Sequence, residues 1–210
     1  MRTIYLHGFA SRPASRKATF FKERFAERGI DLVVPELDGG NFRNLTITGQ
    51  LRIIAEHAGE DPVVLIGSSL GGYLAALAAS RYNQVKRVVL MAPAFRFARR
   101  WEYELGTEVF EEWRQTGSRT VFHYGAGENR EIGFGLIEDA RQYEDYPDVT
   151  CPALLLHGTL DDVVPIEFSR EFARRHRDSA KLHEFVSNHE LGDVLPEMWS
   201  VTSGFLFHDS

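Results

Sequence analysis

The sequence predicts a doubly wound α/β fold on a mostly parallel, six-stranded sheet. Short apolar runs alternate with stretches of helical spacing, which is the order of a parallel sheet covered on both faces. One connection is far longer than a crossover needs. A glycine-flanked serine stands where a strand gives way to a helix.

The strand runs are Thr3–His7, Leu32–Leu37, Pro62–Ser68, Arg87–Ala92, Ala153–His157 and Lys181–Val186. Between them, Ala18, Phe21, Phe25 and Arg28 share one helical face, as do Leu51, Ile54, Ala55 and Ala58. Leu74, Leu77 and Ala78 mark a third helix, and Phe168, Phe172 and Arg175 a later one. The long connection has 57 residues between Pro93 and Cys151. The core is therefore expected in 1–94 and 151–210, with 95–150 an inserted substructure. Within the insertion Glu108–Gln115 and Leu136–Tyr143 read as helices, and Gly125, Gly127, Gly133 and Gly135 mark a loop-rich middle. Phe95 to Tyr146 holds 11 of the chain's 25 aromatic residues, so the surplus lies in the segment the core does not need.

Composition narrows the functional classes. A chain of 210 residues suits one domain, and 43% apolar with 26% charged residues excludes a disordered polymer. A net charge of −6 argues against a nucleic-acid partner, which needs a basic face. The single cysteine, Cys151, leaves no intrachain disulfide and no cysteine-based zinc site. No run approaches the ~18 apolar residues of a membrane span. The amino-terminal apolar stretch is too short for a signal peptide, so a cytoplasmic location is expected.

The chemistry centres on Gly67-Ser68-Ser69-Leu70-Gly71, a Gly-x-Ser-x-Gly turn with Ser69 in the middle. The serine of such a turn is strained, and its neighbours two positions away must lack bulk. Ser68 does not qualify, because Ile66 and Leu70 would take the glycine positions. The plain alternative is a tight packing turn. Gly8, after the first strand, allows close approach of the backbone, so the N–H groups of Phe9 and Leu70 are candidate oxyanion donors. The fifth strand is followed by Asp161 and Asp162, at the sheet edge where ligands bind. Asp161 is favoured as the acid, although spacing alone leaves the pair open. Among the eight histidines, His7 and His157 end strands, His57 and His176 sit on helices, His183 is inside a strand, His123 is in the insertion and His208 is terminal. His189 is in a loop after the last strand, the placement that suits a base opposite Ser69. His7 reads as a buttress of its loop.

With these residues placed, the chain resembles the α/β-hydrolase superfamily over all but the insertion. Its order of nucleophile, acid and histidine is Ser69, Asp161, His189. His7 to Pro13 and Gly67 to Tyr73 look like a group of small bacterial serine esterases. The stretch Gly158 to Pro165 matches the group's Gly-x-x-Asp-x-x-Val-Pro, which points to Asp161. The resemblance implies a sheet lacking the superfamily's first two antiparallel strands, with the inserted 95–150 as a cap. It also implies a serine hydrolase of esters or thioesters working through an acyl-enzyme, with no metal or organic cofactor. Phe95, Trp101 and Trp113 are the aromatic candidates for contact with an apolar acyl or aromatic group. Arg96, Arg99 and Arg100 open the insertion, either solvated or holding an anion. The expected partner is a small-molecule substrate, and a homodimer is compatible with the sequence. The competing readings are a non-catalytic binding or interaction protein on this fold, and a C–C hydrolase or peptidase using the same triad.

Overall fold

The computed structural model describes residues 2–207; His208 lies outside the described residues. Six strands form one parallel sheet: β1 (Arg2–Leu6), β2 (Leu32–Val33), β3 (Val63–Ser68), β4 (Val85–Met91), β7 (Ala153–Gly158) and β8 (Ala180–Phe185). Their order is β2-β1-β3-β4-β7-β8, with every pairing parallel. The chain starts in the interior of the sheet, steps outward to β2, then returns across β1 to build the other side. Strand order therefore reverses between β1 and β3, which opens a crevice at the carboxyl ends of those strands.

The alternation along each strand feeds two cores. Ile4, Leu6, Val63, Leu65, Val88, Leu90, Ala153 and Leu155 face one side, while Tyr5, Val64, Ile66, Val89, Met91, Leu154 and Leu156 face the other. Both sets are apolar because helices cover both faces. Helices α1 (Arg16–Ala26) and α7 (Leu195–Phe207) cover the second side, with Trp199 packed edge-on against Phe21 and Phe25. Helices α2 (Ile47–Ala58), α3 (Leu70–Ala79) and α6 (Ile166–Arg175) lie on the first. The serine and threonine ahead of α1 and α2 cap them: Ser15 accepts from the Ala18 N–H at 3.4 Å and Thr46 from the Gly49 N–H at 2.9 Å. Every residue of α3 is buried, so this helix is apolar all round and sits inside the molecule.

The segment between β4 and β7 holds α4 (Phe97–Thr116), an antiparallel hairpin of β5 (Ser118–His123) and β6 (Glu128–Gly133), and α5 (Gly135–Ala140). It has no separate core. Phe110, Trp113, Ile132, Phe134, Leu136 and Ile137 belong to the same apolar cluster as α3 and the sheet. The two expected helices are present, but α4 begins earlier than its pattern and breaks at Gly106, where φ is 71°. The expected loop-rich middle is instead the hairpin. Its β6 strand reads Glu-Asn-Arg-Glu-Ile-Gly with only Ile132 buried, so no apolar alternation betrayed it. The second expected run is also shorter than Leu32–Leu37, because the ladder stops after Val33 and Pro35 offers no N–H to extend it.

Phe21 is fully buried against Tyr5 and Trp199, far along the chain from every candidate catalytic residue. Phe21→Ala is expected to lose about 3–5 kcal/mol of unfolding free energy. A urea titration checks this, with a lower midpoint and an unchanged slope as the expected result.

Candidate active site

Ser69 joins β3 to α3 with φ 55° and ψ −118°, a conformation that costs a non-glycine residue about 1–3 kcal/mol. Close packing holds it there. A Cβ on Gly67 would overlap the Gly71 carbonyl, and a Cβ on Gly71 would overlap the carbonyl of Leu6 on the neighbouring strand. The turn is also hydrogen-bonded on both sides: Ser69 N–H donates to Met91 O at 2.8 Å, and Ser69 O accepts from Ala94 N–H at 3.0 Å and Tyr73 N–H at 3.1 Å. The serine thus stands half-buried at the carboxyl edge of the sheet, beside the strand-order reversal.

The end of β1 lies against this turn. A Cβ on Gly8 would touch Ser69 Cβ and Ser68 O, both at 3.4 Å, which sets the backbone just before Phe9 beside the nucleophile candidate. His7 braces that backbone. Its Nε2 accepts the Leu37 N–H at 3.4 Å, which leaves Nδ1–H to donate to Gly8 O at 3.0 Å. Burial pushes the His7 imidazole down, consistent with a neutral buttress. The Leu70 N–H is at the first turn of α3, where helix amides lack intrahelical partners.

Asp161 and His189 meet. His189 Nδ1 is 2.8 Å from Asp161 Oδ2, and the Asp161 side chain is fully shielded from solvent while that of His189 keeps 13% exposure. Two backbone donors fix the other carboxylate oxygen: Val163 N–H at 2.9 Å and Val164 N–H at 2.8 Å reach Oδ1. A second histidine shares Oδ2, with His157 Nε2 at 3.0 Å. Burial by itself would raise the Asp161 carboxyl; the hydrogen bonds from His157 and His189 outweigh it and hold the group well below the usual carboxylate range. Asp162 is exposed and takes no part in this cluster.

The two loops that carry acid and base are laced together. Thr159 N–H donates to Phe185 O at 2.7 Å and Leu160 N–H to Ser187 O at 3.0 Å. A Cβ on Gly158 would strike Ser187 O, so the loops could not approach with any larger residue there. Within the histidine loop, Ser187 Oγ–H donates to Asp193 across the turn that presents His189. Lys17 of α1 comes within electrostatic reach of Glu190 and Asp161; burial pushes its ammonium down to about 8 against the pull of both carboxylates.

The aromatic candidates divide by burial. Phe95 is fully buried and stacks on Phe172 with ring centres 4.6 Å apart, and Trp113 is buried with Nε1–H donating to Ile132 O at 3.2 Å. Trp101 is half-buried and meets Phe9 edge-on at 5.5 Å, which brings it to the loop beside Ser69. Arg96 and Arg99 reach Asp145 at 4.0 and 3.1 Å, while Nη1 of Arg100 is buried without a hydrogen-bond partner among the described residues. Two open concavities, of about 620 and 520 Å³, lie elsewhere: one between α1 and the start of α7, the other around Arg96, Asp145 and Glu171. Neither includes Ser69. Among the described residues no group of three His, Cys, Asp or Glu is placed to hold a metal ion, and no helix is long and apolar enough to cross a membrane.

His157 and its partner Ser169 are what the sequence reading missed. Alternation from Leu155 puts His157 on the α6 face of the sheet, a signal available in the sequence, but nothing there showed that Asp161 would fold back onto it.

The strand order and the helices on both faces of the sheet are those of the α/β-hydrolase fold. The chain belongs to the family described as Uncharacterised protein family UPF0227, which matches residues 2–206. It is 28% identical over 186 residues to palmitoyl-protein thioesterase ABHD10, mitochondrial, of Mus musculus, covering 82% of this chain and 62% of that protein. The chain therefore spans less than two thirds of that relative's length. The solved structure of alpha/beta hydrolase domain-containing protein 10 from mouse superposes with a TM-score of 0.78 at 23% identity, covering 97% of this chain and 90% of that one. Est1E from Butyrivibrio proteoclasticus superposes with a TM-score of 0.79 at 19% identity, covering 97% and 86%.

The depressed Asp161 carboxyl makes stability depend on pH. Its contribution is complete above the unfolded-state value of about 3.9 and is lost as pH falls below it, because the unfolded chain takes up that proton first. Asp161→Asn is expected to flatten the pH dependence of the urea midpoint between about pH 5 and 2, whereas Asp162→Asn should leave it as in the parent.

Proposed function

We propose that the protein hydrolyses carboxylic esters or thioesters through Ser69, His189 and Asp161. The single observation that carries this is the 2.8 Å bond between His189 and a solvent-shielded Asp161, at the sheet edge that also presents the strained Ser69. A pure binding protein needs neither a serine held in a strained turn nor a histidine with one ring nitrogen committed to a buried carboxylate.

In this reading Asp161 accepts the hydrogen bond of His189 Nδ1–H, which leaves Nε2 free to accept a proton. Nε2 receives it from Ser69 Oγ as that oxygen bonds to the acyl carbon. The amides of Phe9 and Leu70 stabilise the negative oxygen of the tetrahedral intermediate. The imidazolium returns its proton to the departing alkoxide or thiolate, leaving the acyl group on Ser69. Water, deprotonated by the same Nε2, attacks the acyl carbon, and the imidazolium returns that proton to Ser69 Oγ as the carboxylic acid leaves. His189 cannot serve as the base once protonated, so the rate should fall in acid.

The segment 95–150 acts as the cap. Trp101, against Phe9, is the aromatic candidate that lines the approach to Ser69; Phe95 and Trp113 contribute as packing behind it. An apolar acyl or aromatic group is the substrate portion that this wall suits. The 28% identity to a palmitoyl-protein thioesterase supports including thioesters beside esters.

Labelling with a fluorophosphonate probe tests the nucleophile. The wild-type chain and the control Ser68→Ala should label, and Ser69→Ala should not. On a panel of p-nitrophenyl esters and acyl-thioesters of increasing chain length, Ser69→Ala is expected to lose at least about 10³-fold in kcat. Retained turnover in Ser69→Ala would sink the assignment.

A further inference from the structure

We propose that His157 is a positioning residue for this reaction, holding Asp161 as an oriented anion and, by sharing its charge with His189, setting the lower end of the pH range in which the base works. The inference rests on the triad reading above.

The geometry fixes what His157 can do. It is fully buried at the end of β7. Its Nε2 faces two acceptors at once, Asp161 Oδ2 at 3.0 Å and Val164 O at 2.9 Å. Val164 O can only accept, and an ionised Asp161 can only accept, so Nε2 carries a hydrogen. Nδ1 lies 2.7 Å from Ser169 Oγ, itself fully buried on α6. A serine hydroxyl can donate to that nitrogen, which fixes the tautomer and the plane of the ring. The chain Ser169–His157–Asp161–His189 therefore runs from the inside of α6 to the base.

Asp161 then has four polar contacts: hydrogen bonds from two backbone amides to Oδ1 and from His189 to Oδ2, and the His157 Nε2–H, which bonds to Val164 O and stands 3.0 Å from the same Oδ2. Three of them remain when His189 moves during proton transfer, so the carboxylate stays an anion in a site shielded from water. Each further donor also draws charge away from the bond to His189 and weakens the stabilisation of the imidazolium. Removing His157 should strengthen that stabilisation, and it should make Asp161 easier to protonate. Both effects move loss of activity in acid to higher pH. The other charged groups around the cluster are Glu184, paired across from His157 on β8, Lys17 of α1 with Glu190 of the histidine loop, and Arg100 of α4. None of them changes in the variants below.

The test is the pH profile of kcat/KM for a p-nitrophenyl ester in the wild type, His157→Leu, His157→Gln and Ser169→Ala, with histidine ring NMR titration of each full chain. His157→Leu is expected to lower kcat about tenfold with little change in KM, and to move the acid limb up by on the order of half a pH unit. His157→Gln, whose amide can again donate to Asp161, should recover part of both effects. Ser169→Ala keeps the imidazole but frees its ring, so it should move the limb in the same direction by less. It also decides the matter should His157→Leu fail to fold. An acid limb and a His189 titration that stay at the wild-type pH in Ser169→Ala, and in His157→Leu where it folds, would overturn the proposal, since a purely packing role changes rate without changing protonation. The NMR arm needs no turnover, so a chain inactive on every ester would count against the triad reading while the His189 titration still decides the role of His157.

Discussion

The contact on which the site depends is the absence of space between β1, β3 and the first turn of α3. The carbonyl of Leu6 occupies the place where Gly71 would carry a side chain, and the Gly71 carbonyl does the same to Gly67. This interlock brings the start of a helix hard against two strand ends. It holds the residue between the glycines at positive φ and puts the first turn of the helix, whose amides lack intrahelical partners, at the carboxyl edge of the sheet. Strain at Ser69 is a consequence of packing elsewhere, and the apolar burial of all of α3 offsets it.

The second half of the site is assembled by the opposite device. Asp161 and His189 come from loops after β7 and β8, whose positions follow from a six-residue ladder and two backbone bonds just beyond it. Here satisfaction of polar groups does the work. A shielded carboxylate with fewer donors would take up a proton, and a neutral acid would orient the histidine poorly. The interlock at β3 and the donor shell at β7 are independent, and they converge because parallel strands all end at one edge.

Much of this was legible in the sequence. The strand runs and the Gly-x-Ser-x-Gly turn carry steric information directly, since a glycine at positions 67 and 71 has a mechanical reason. Asp161 over Asp162 needed the resemblance, because two adjacent aspartates in a loop differ only in which one the backbone turns inward. The β5–β6 hairpin was illegible: its strands face solvent over most of their length, so periodicity has little to report. The place of His157 beside Asp161 was illegible for another reason. A buried histidine that donates to a nearby carboxylate is a tertiary fact, and strand alternation gives only its face.

The hairpin has a mechanical meaning beyond its shape. Gly125 N–H at its turn donates to Ala10 O at 3.0 Å, and a Cβ on Gly125 would press within 2.9 Å of Arg12 Cβ. At its base, Ile132 and Phe134 are sunk in the cluster that also holds α3. The hairpin is thus clamped at its turn to the loop that follows β1 and at its base to the cluster that holds α3. It cannot be exchanged as a cassette: grafting a different hairpin changes the support of the loop after β1 together with the packing over α3. In the proposed reading, selectivity and transition-state stabilisation would then be inherited as one part.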